Sequence, residues 1–256
     1  MRIATWNLNS VRAREARLLA WLARKQPDLL CLQELKAANE DFPSAAVEGL
    51  GYRTAVHGQR TYNGVAILSR FPLSEIEHGF RDGDDDTQAR VISARVDAVR
   101  VVCAYFPNGG EVGSEKFAYK LRWMERLRGY LERRFEKDES AVLCGDFNVA
   151  PEDRDVARPA EWKESVLCHP EARAALARIA QLGLVDTFRK HHSEGGYYSW
   201  WDYRMLGFPK NNGLRIDHIF ATEPLAVRCE SAEIDRDERK GKQPSDHAPV
   251  LAIFSQ

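Results

Sequence analysis

The sequence contains no hydrophobic run long enough to cross a membrane. Residues 29–32 are typical of its longest apolar stretches, whereas a membrane helix needs about 20 consecutive apolar residues. The N-terminal segment becomes polar at Asn7, so it offers neither the apolar core nor the cleavage site of a signal peptide. We therefore expect a protein that does not associate with membranes.

Cysteine is scarce, and its distribution argues against two common uses. The five cysteines are Cys31, Cys103, Cys144, Cys168 and Cys229, and no two of them form a CxxC pair. An odd, scattered set is a poor basis for a disulfide framework or for a zinc site built from thiolates. This usage is typical of proteins in a reducing compartment and predicts a cytoplasmic location.

The chain also lacks an excess of charge of either sign. With 37 Lys and Arg against 38 Asp and Glu, its net charge is −1. Nucleic-acid-binding domains are usually basic, so this balance weighs against that function. The objection weakens if several acids surround a metal ion, because the remaining surface then presents a positive face to phosphates.

Apolar segments alternate with helical patterns and long loops, without a repeat or a flexible linker. After Ser114, apolar residues recur at intervals of three and four through residue 135, which predicts a helix. Further helices are expected after Ser10 and over residues 171–182. Eight apolar runs predict strands: residues 2–6, 29–33, 64–69, 91–96, 99–106, 141–144, 215–221 and 248–254. The pattern predicts one domain, residues 1–256, with two β-rich halves packed as a sandwich and helices outside.

Acids, amides and histidine cluster where the predicted strands begin or end. The positions are Asn7 after Trp6, Glu34 after Gln33, Asp146 with Asn148, Asp217 with His218, and Asp246 with His247. One acid after a strand is as often a turn or helix cap as a functional group. Five such positions favour a functional site at a sheet edge, because caps need neither amide partners nor histidine.

Hard oxygen donors dominate this set. Glu34, Asn7, Asp146, Asn148 and Asp246 offer carboxylate and amide oxygens, and no HExxH motif accompanies them. Zinc is therefore disfavoured. These donors suit Mg²⁺ or Mn²⁺, which take the rest of their ligands from water and a phosphate. The composition of the set indicates phosphate ester chemistry.

Two motifs supply groups for such chemistry. If the GDFN motif is extended, its backbone projects Asp146 and Asn148 to the same side. The acid can then accept a proton from water while the amide holds that water or a phosphate oxygen. His247 stands beside an acid, and Asp217 is a candidate to orient its imidazole, although a single histidine is more often structural.

Three further features suggest contacts to nucleic acid. Tyr105 can donate its hydroxyl to a phosphate, although a core aromatic is equally expected. Lys116 would add positive charge, although such a lysine is more often an ordinary surface residue. Residues 197–204 contain five aromatics and an arginine. Side chains of this kind hold unstacked or flipped nucleotides, and core packing is the alternative interpretation.

Taken together, these segments match a known family in their order along the chain. The matching segments are ATWNLNSVRAR, LLCLQELK, YNGVAILSR, AYFPNG, GDFNVAP, GLVDTFR, YSWWDYR, GLRIDHI and PSDHAPV. The chain resembles the exonuclease III type of apurinic/apyrimidinic endonuclease, within the metal-dependent superfamily that includes DNase I. GDFN and SDHAP are typical of the whole superfamily, whereas SWWDYR and GLRID are typical of its DNA-repair branch.

The resemblance implies a fold and an activity. The fold would be a four-layer α/β sandwich, in which two mainly antiparallel sheets face each other and helices flank them. The activity would be Mg²⁺- or Mn²⁺-dependent hydrolysis of double-stranded DNA at abasic sites and blocked 3′ ends. No obligate protein partner is implied, and we expect a monomer.

The resemblance also implies roles for particular residues. Asp146 would activate the attacking water, and Asn148 would hold that water or the phosphate. Asp217 would pair with His247, which faces a phosphoryl oxygen, and Tyr105 would touch the phosphate or the leaving group. The implied metal-binding positions are Glu34, Asn7, Asp146, Asn148, Asp246 and His247, with Glu34 the main ligand.

Other positions match the DNA-contacting parts of the family. Those expected to contact DNA are Asn108, Lys116 and Arg90, together with Trp200, Leu214 and Ile216, which would pack the flipped abasic sugar. Leu167 stands near a position where some relatives have a small residue, so it would narrow the entrance to that pocket.

Three alternatives to this function remain open from the sequence. One is a 3′-end-processing phosphatase and exonuclease with little abasic-site incision. A second is a member of the fold that only binds nucleic acid or protein, which the complete acid, amide and histidine set disfavours. A third is a small-molecule phosphatase, which the tryptophan-rich segment disfavours.

Overall fold

The computed structural model describes residues 1–84, 86–136 and 138–255. Six strands form the first sheet: β1 (Arg2–Asn7), β2 (Leu29–Gln33), β3 (Arg53–His57), β4 (Val65–Ser69), β11 (Cys229–Ile234) and β12 (Val250–Phe254). Six more form the second sheet: β5 (Leu73–His78), β6 (Val91–Val96), β7 (Val99–Tyr105), β8 (Ala141–Asp146), β9 (Leu184–Asp186) and β10 (Asp217–Thr222).

The two sheets are built alike. Their strand orders are β11-β12-β1-β2-β4-β3 and β5-β6-β7-β8-β10-β9. Each sheet has one parallel pair at its centre, β1 with β2 and β7 with β8, and its other pairs are antiparallel. The prediction of mainly antiparallel sheets is confirmed.

The helices of the described chain are α1 (Val11–Lys25), α2 (Ser44–Glu48), α3 (Glu115–Arg134), α4 (Pro159–Trp162), α5 (Pro170–Ala180), α6 (Thr187–His191) and α7 (Glu223–Ala226). The first five pack on the outer faces of the two sheets, whereas α6 and α7 contribute Phe188 and Leu225 to the apolar layer between the sheets. Ser10 and Ser114 accept hydrogen bonds from the first turns of α1 and α3, as expected of N-caps. No helix in the described part of the chain is long and apolar enough to span a membrane.

Three apolar layers join these elements. Ile3 and Cys31 from the first sheet pack with Cys103 and Cys144 from the second, between the sheets. A second cluster joins α1 to the outer face of the first sheet. A third joins α3 and α5 to the second sheet. Alternation of side chains along each strand fills the inner and outer layers at once, so the predicted four-layer sandwich is confirmed.

The sequence predicted all eight central strands and none of the four edge strands. The unpredicted strands β3, β5, β9 and β11 each form one edge of a sheet. Five of the six residues of β5 are exposed or carry a charge or hydroxyl, whereas every residue of β2 is buried. A central strand is covered on both faces and becomes a continuous apolar run, but an edge strand keeps polar residues that hide its period.

The predicted strand 215–221 begins two residues later, at Asp217. The backbone N–H of Arg215 donates to the carbonyl of Asp155 rather than to a neighbouring strand. Its buried guanidinium also donates to the carboxylate of Asp155. These contacts hold residue 215 outside the sheet ladder. The five cysteines are buried and free.

Candidate active site

The polar residues at the strand ends converge because the two parallel pairs end at the same side of the sandwich. In the first sheet, Asn7 ends β1 beside Gln33, and Glu34 follows directly. In the second sheet, Tyr105 and Asp146 are paired at the ends of β7 and β8. Asp217, the first residue of β10, pairs with Asp146 across the next ladder. The register of the strands thus brings acids from both sheets together.

Glu34 lies at the centre of this group. Its Oε1 accepts hydrogen bonds from Asn7 Nδ2 and from the Tyr105 hydroxyl, both at 2.9 Å. Its Oε2 lies 2.9 Å from Lys36 Nζ. Burial opposes ionisation of this carboxyl, but the Lys36 charge and the Asn7 hydrogen bond overcome it and lower the pKa. Glu34 is therefore a carboxylate at neutral pH.

Asp146 is held by amides. Its Oδ2 accepts from Asn7 Nδ2 at 2.9 Å and from Asn148 Nδ2 at 3.2 Å, and its Oδ1 accepts from the Asn148 backbone N–H at 2.9 Å. Burial and the charges of Asp217 and Glu34 raise the pKa of Asp146, although nearby His247 opposes the shift. A carboxyl with a raised pKa is a stronger base once it is ionised.

His247 and Asp217 form a buried pair. His247 Nδ1 lies 2.9 Å from Asp217 Oδ2, so Nδ1 carries the proton and donates. Nε2 points to the site and lies 3.8 Å from Asp146 Oδ2. Burial alone would lower the pKa of His247, but the charges of Asp217 and Asp146 raise it well above its usual value. The geometry favours an imidazolium that is oriented by Asp217.

Asp246 joins the site to the aromatic segment. Its Oδ1 accepts from Asn9 Nδ2 and its Oδ2 from Trp200 Nε1, both at 3.0 Å. Burial would raise the pKa of Asp246, but the charge of His247 and these hydrogen bonds lower it. The same carboxylate therefore fixes the orientation of Trp200.

The donor set fits a divalent cation. Ligand atoms of Glu34, Asp146 and His247 all lie within 4.8 Å of one another. Burial and, to a smaller extent, the charges of Asp217 and Glu34 raise the pKa of Asp146, and a bound cation would favour its ionised form. Carboxylate oxygens are the ligands that Mg²⁺ and Mn²⁺ prefer. Asn7 donates to both carboxylates, while its own Oδ1 accepts from the Asn9 backbone N–H.

Two open cavities flank this acidic group. One, of about 520 Å³, is lined by residues that include Asn108, Leu167 and Trp200. The other, of about 340 Å³, is lined by residues that include Glu34, Tyr105 and Arg90. The acids thus lie between the two cavities, and we call the surface that joins these cavities the groove.

Asn108 and Arg90 also contact residues of the site. Asn108 Nδ2 donates to Asn148 Oδ1 at 3.2 Å. The guanidinium of Arg90 lies 4.8 Å from the centre of the Tyr105 ring and donates to the Tyr105 carbonyl. Both residues are therefore placed where they can contact a ligand in the groove.

Three predicted DNA-contact residues lie outside the cluster of acids. Lys116 is exposed in the first turn of α3. Leu214 and Ile216 are buried and pack with Trp200 in the core around the second sheet, and neither lines the larger cavity. Trp200 lines that cavity while these two side chains support the core beneath it.

Sequence reasoning missed two residues that touch the site. Ser199 Oγ donates to Asp217 Oδ2 at 2.6 Å and accepts from the Asp217 backbone N–H. Lys36 contacts Glu34 and donates to Asn9 Oδ1. A lysine two residues after the acid was a visible signal for Lys36. Ser199 lies 18 residues before its partner, and no local pattern indicates that contact.

Known proteins share both the sequence and the fold. The profile of the "Endonuclease/Exonuclease/phosphatase family" matches residues 4–247. Exodeoxyribonuclease III of Haemophilus influenzae is 38% identical, over 99% of this chain and 100% of the relative. An AP endonuclease from Archaeoglobus fulgidus superposes with a TM-score of 0.97 at 40% identity, covering 100% of both chains. A 3′ phosphatase from Neisseria, solved with a product DNA hairpin, superposes with a TM-score of 0.96 at 40% identity and the same coverage.

Proposed function

Since the chain belongs to the endonuclease/exonuclease/phosphatase family and is a DNA repair nuclease, we propose that its substrates are abasic sites and blocked 3′ ends in double-stranded DNA. The observation that carries this proposal is the buried Asp146, His247 and Asp217 set beside Glu34, with a cavity next to Trp200. A flipped abasic sugar has no base to unstack, so extruding it costs little.

We propose that the cofactor is Mg²⁺ or Mn²⁺. Glu34 and Asp146 would provide charged oxygens, with Asn7, Asn148 and Asp246 around them and His247 in the same group. When bound, the ion supplies positive charge that neutralises the scissile phosphate.

The chain's own residues would divide the remaining work. Asp146 would accept a proton from the attacking water, because its pKa is raised and Asn148 orients it. The imidazolium of His247 would donate from Nε2 to a phosphoryl oxygen, because Asp217 holds the proton on Nδ1. Tyr105 would contact the phosphate or the leaving group through the hydroxyl that it now donates to Glu34.

We propose that DNA lies along the groove between the two cavities. Trp200 would form one wall of the pocket for the flipped sugar, with Leu214 and Ile216 packed in the core beneath it. Asn108, Arg90 and Lys116 would contact phosphates on either side of the site.

The proposal is tested with three duplexes in Mg²⁺: one with an internal abasic analogue, one with a 3′-phosphate, and one undamaged. We expect incision of the first and dephosphorylation of the second, and neither reaction in excess EDTA. Absence of both reactions with Mg²⁺ and with Mn²⁺ would overturn the proposal.

A second candidate is a 3′-end-processing phosphatase and exonuclease with little abasic-site incision. It is favoured by Leu167, a bulky side chain that lines the larger cavity. Trp200→Ala should lower abasic incision more than 3′-phosphate removal, and Leu167→Gly should raise incision selectively. If Leu167 only packs under its loop, both activities will fall together in Leu167→Gly.

The metal site has its own test. Glu34→Gln removes one anionic ligand, so we expect Mn²⁺ affinity, measured by calorimetry, to fall on the order of tenfold or more, which corresponds to about 1.4 kcal/mol. Glu40→Gln, a change in an exposed acid away from the site, is the matched control. Equal Mn²⁺ affinity in all three proteins would remove Glu34 from the ligand set.

We also propose that the protein acts as a monomer of one domain, residues 1–256, in the cytoplasm. The two sheets share a core, which supports a single domain. Five buried free cysteines suit a reducing compartment. Sedimentation at working concentrations and limited proteolysis would test the first two points.

A further inference from the structure

A buried lysine lies behind the wall of the larger cavity. Lys120, in the second turn of α3, is completely shielded from solvent. Its Nζ donates to the backbone carbonyls of Asn108 at 3.1 Å, Asn148 at 2.7 Å and Val166 at 2.7 Å. An ammonium has three N–H donors. Each of them therefore donates to a carbonyl in a different loop.

The three loops come from separate parts of the chain and surround the candidate active site. The first follows β7 and contains Asn108, the second follows β8 and contains Asn148, and the third precedes α5 and contains Val166 and Leu167. Asn108, Val166 and Leu167 line the 520 Å³ cavity. Lys120 does not line it, so it contacts the cavity only through the loops that it holds.

The loops pack closely around Lys120, and residues in two of them have a positive φ. Gly109 has a φ of +101°, and a Cβ there would lie 3.0 Å from Cδ of Lys120 and 3.4 Å from Cβ of Val166. Only glycine combines this backbone conformation with so close an approach. Asn148 also has a positive φ, +49°, a conformation that needs support from its surroundings. Its carbonyl is one of those held by Lys120.

Burying an unpaired ammonium is unfavourable for folding, because its hydration is lost. Among the described residues, Lys120 forms no ion pair with a carboxylate, and its three partners are neutral carbonyls. An apolar side chain would avoid burying a charge but would leave these three carbonyls without a donor, so the lysine connects the loops as well as filling space.

We propose that Lys120 is a positioning residue that fixes the three loops in the arrangement required to accept an internal nucleotide. This inference rests on the proposed function. Removal of a 3′-phosphate from a DNA end depends less on the cavity wall, because the terminal nucleotide need not be enclosed. Loss of Lys120 should therefore separate the two activities.

The test compares Lys120→Met, which keeps the length of the side chain, with the wild-type protein. We expect kcat/KM for abasic incision to fall about 10- to 100-fold, the range for small misplacements near a reacting centre, with KM carrying most of the change. The ratio of incision to 3′-phosphate removal should fall about tenfold or more. Lys190→Met is the matched control, since Lys190 also donates to two backbone carbonyls, those of Ala226 and Cys229, away from the site.

Hydrogen exchange of the DNA-free protein provides a second readout. In Lys120→Met, exchange should increase in residues 108–110 and 165–168, and at the Ala150 N–H, which donates to the Leu167 carbonyl. Exchange in the central strands should not change. If Lys120→Met does not fold, Lys120→Gln is used, because its amide can still donate to two of the carbonyls.

The outcomes distinguish the inference from the proposed function. Wild-type protein without activity on either duplex would overturn the proposed function, while local exchange in the variant would still support the role of Lys120 in the loops. Equal losses of both activities, or faster exchange throughout the chain, would show that Lys120 only stabilises the fold and would overturn the inference.

Discussion

Two clusters of buried charge meet at β10, and they are balanced differently. The acidic cluster contains Glu34, Asp146, Asp217 and His247. The ion-pair network contains Arg189, Arg215, Asp155, Asp186 and His218. Asp217 and His218 are neighbours on β10, so their side chains point to opposite faces of the sheet. One strand therefore contributes to both clusters.

In the ion-pair network, opposite charges cancel. Arg215 lies 2.7 Å from Asp155 and 2.7 Å from Asp186. Burial would raise the pKa of both carboxyls, but the charge of Arg215 lowers them. Burial and the same guanidinium lower the pKa of His218 to about 4, so it is neutral. The two carboxyls are therefore ionised and the imidazole is neutral without any added ligand, as expected of a structural network.

In the acidic cluster, negative charge is in excess. Burial and neighbouring acids raise the pKa of Asp146, the opposite direction from Asp155. Such a group would be stabilised by positive charge that the chain itself does not supply, such as that of the proposed cation. Perturbed carboxyls in a cleft are therefore a stronger sign of function than buried ion pairs in general.

The largest expected effect separates the two clusters by activity. Asp146→Asn should lower turnover about 10²- to 10⁴-fold, because an amide cannot accept a proton from water. DNA binding should persist. The free energy of unfolding at pH 7 should not fall, because a buried charge is removed. Kinetics, DNA titration and urea unfolding measure the three quantities. A large loss of stability would identify Asp146 as a structural residue instead.

The second prediction concerns the ion-pair network, which should contribute to the stability of the fold. Arg215→Met should lower the free energy of unfolding by about 3–5 kcal/mol, because Asp186 would lose its arginine partner and Asp155 would keep only Arg189. Urea unfolding measures the change. Arg128→Met, which breaks exposed pairs on α3, is the control and should leave the midpoint unchanged. Equal midpoints for the two variants would contradict the structural assignment.

The third prediction concerns the interaction energy between Asp217 and His247 in the acidic cluster. Asp217→Asn and His247→Asn should each lower turnover, and the double variant should lose less than the sum. We expect an interaction energy of about 0.5–3 kcal/mol, because the two side chains act as a unit. A double-mutant cycle on kcat measures it. Additive losses would indicate that the 2.9 Å contact has no role in turnover.

The smallest effect concerns pH and the ion-pair network. His218 has a folded-state pKa of about 4, below its usual value of 6.5, so only the unfolded chain takes up this proton between those values. Stability should therefore decrease as pH falls from 6.5 towards 4, with this residue contributing about 1–2 kcal/mol by pH 5. His218→Gln can keep both hydrogen bonds and should remove this contribution. Urea unfolding at pH 7 and pH 5 compares the wild-type protein with this variant. If the free energy of unfolding changes equally with pH in both proteins, His218 does not make this contribution.

Two lysines near the start of α3 differ in whether the sequence predicts their role at the site. Its position near the start of the helix predicts a phosphate contact for Lys116, and this side chain is exposed. Lys120, one turn later, is the lysine that contacts the site loops. The helical stripe identified apolar residues as the buried face, and a lysine on that face gives no periodic signal. Its partners lie 12, 28 and 46 residues away, so only folding reveals them.

The sequence by itself determined the central strands and the chemical identity of the site. Continuous apolar runs and the residues that end them are local features, and Asn7, Glu34, Asp146, Asp217 and His247 are all visible at that level. Tertiary structure decided which segments form the edge strands, in which direction each pKa shifts, and which side chains line the cavity. These depend on atoms that are far apart in the chain, because pKa and packing are set by what surrounds a group in space rather than by its neighbours in sequence.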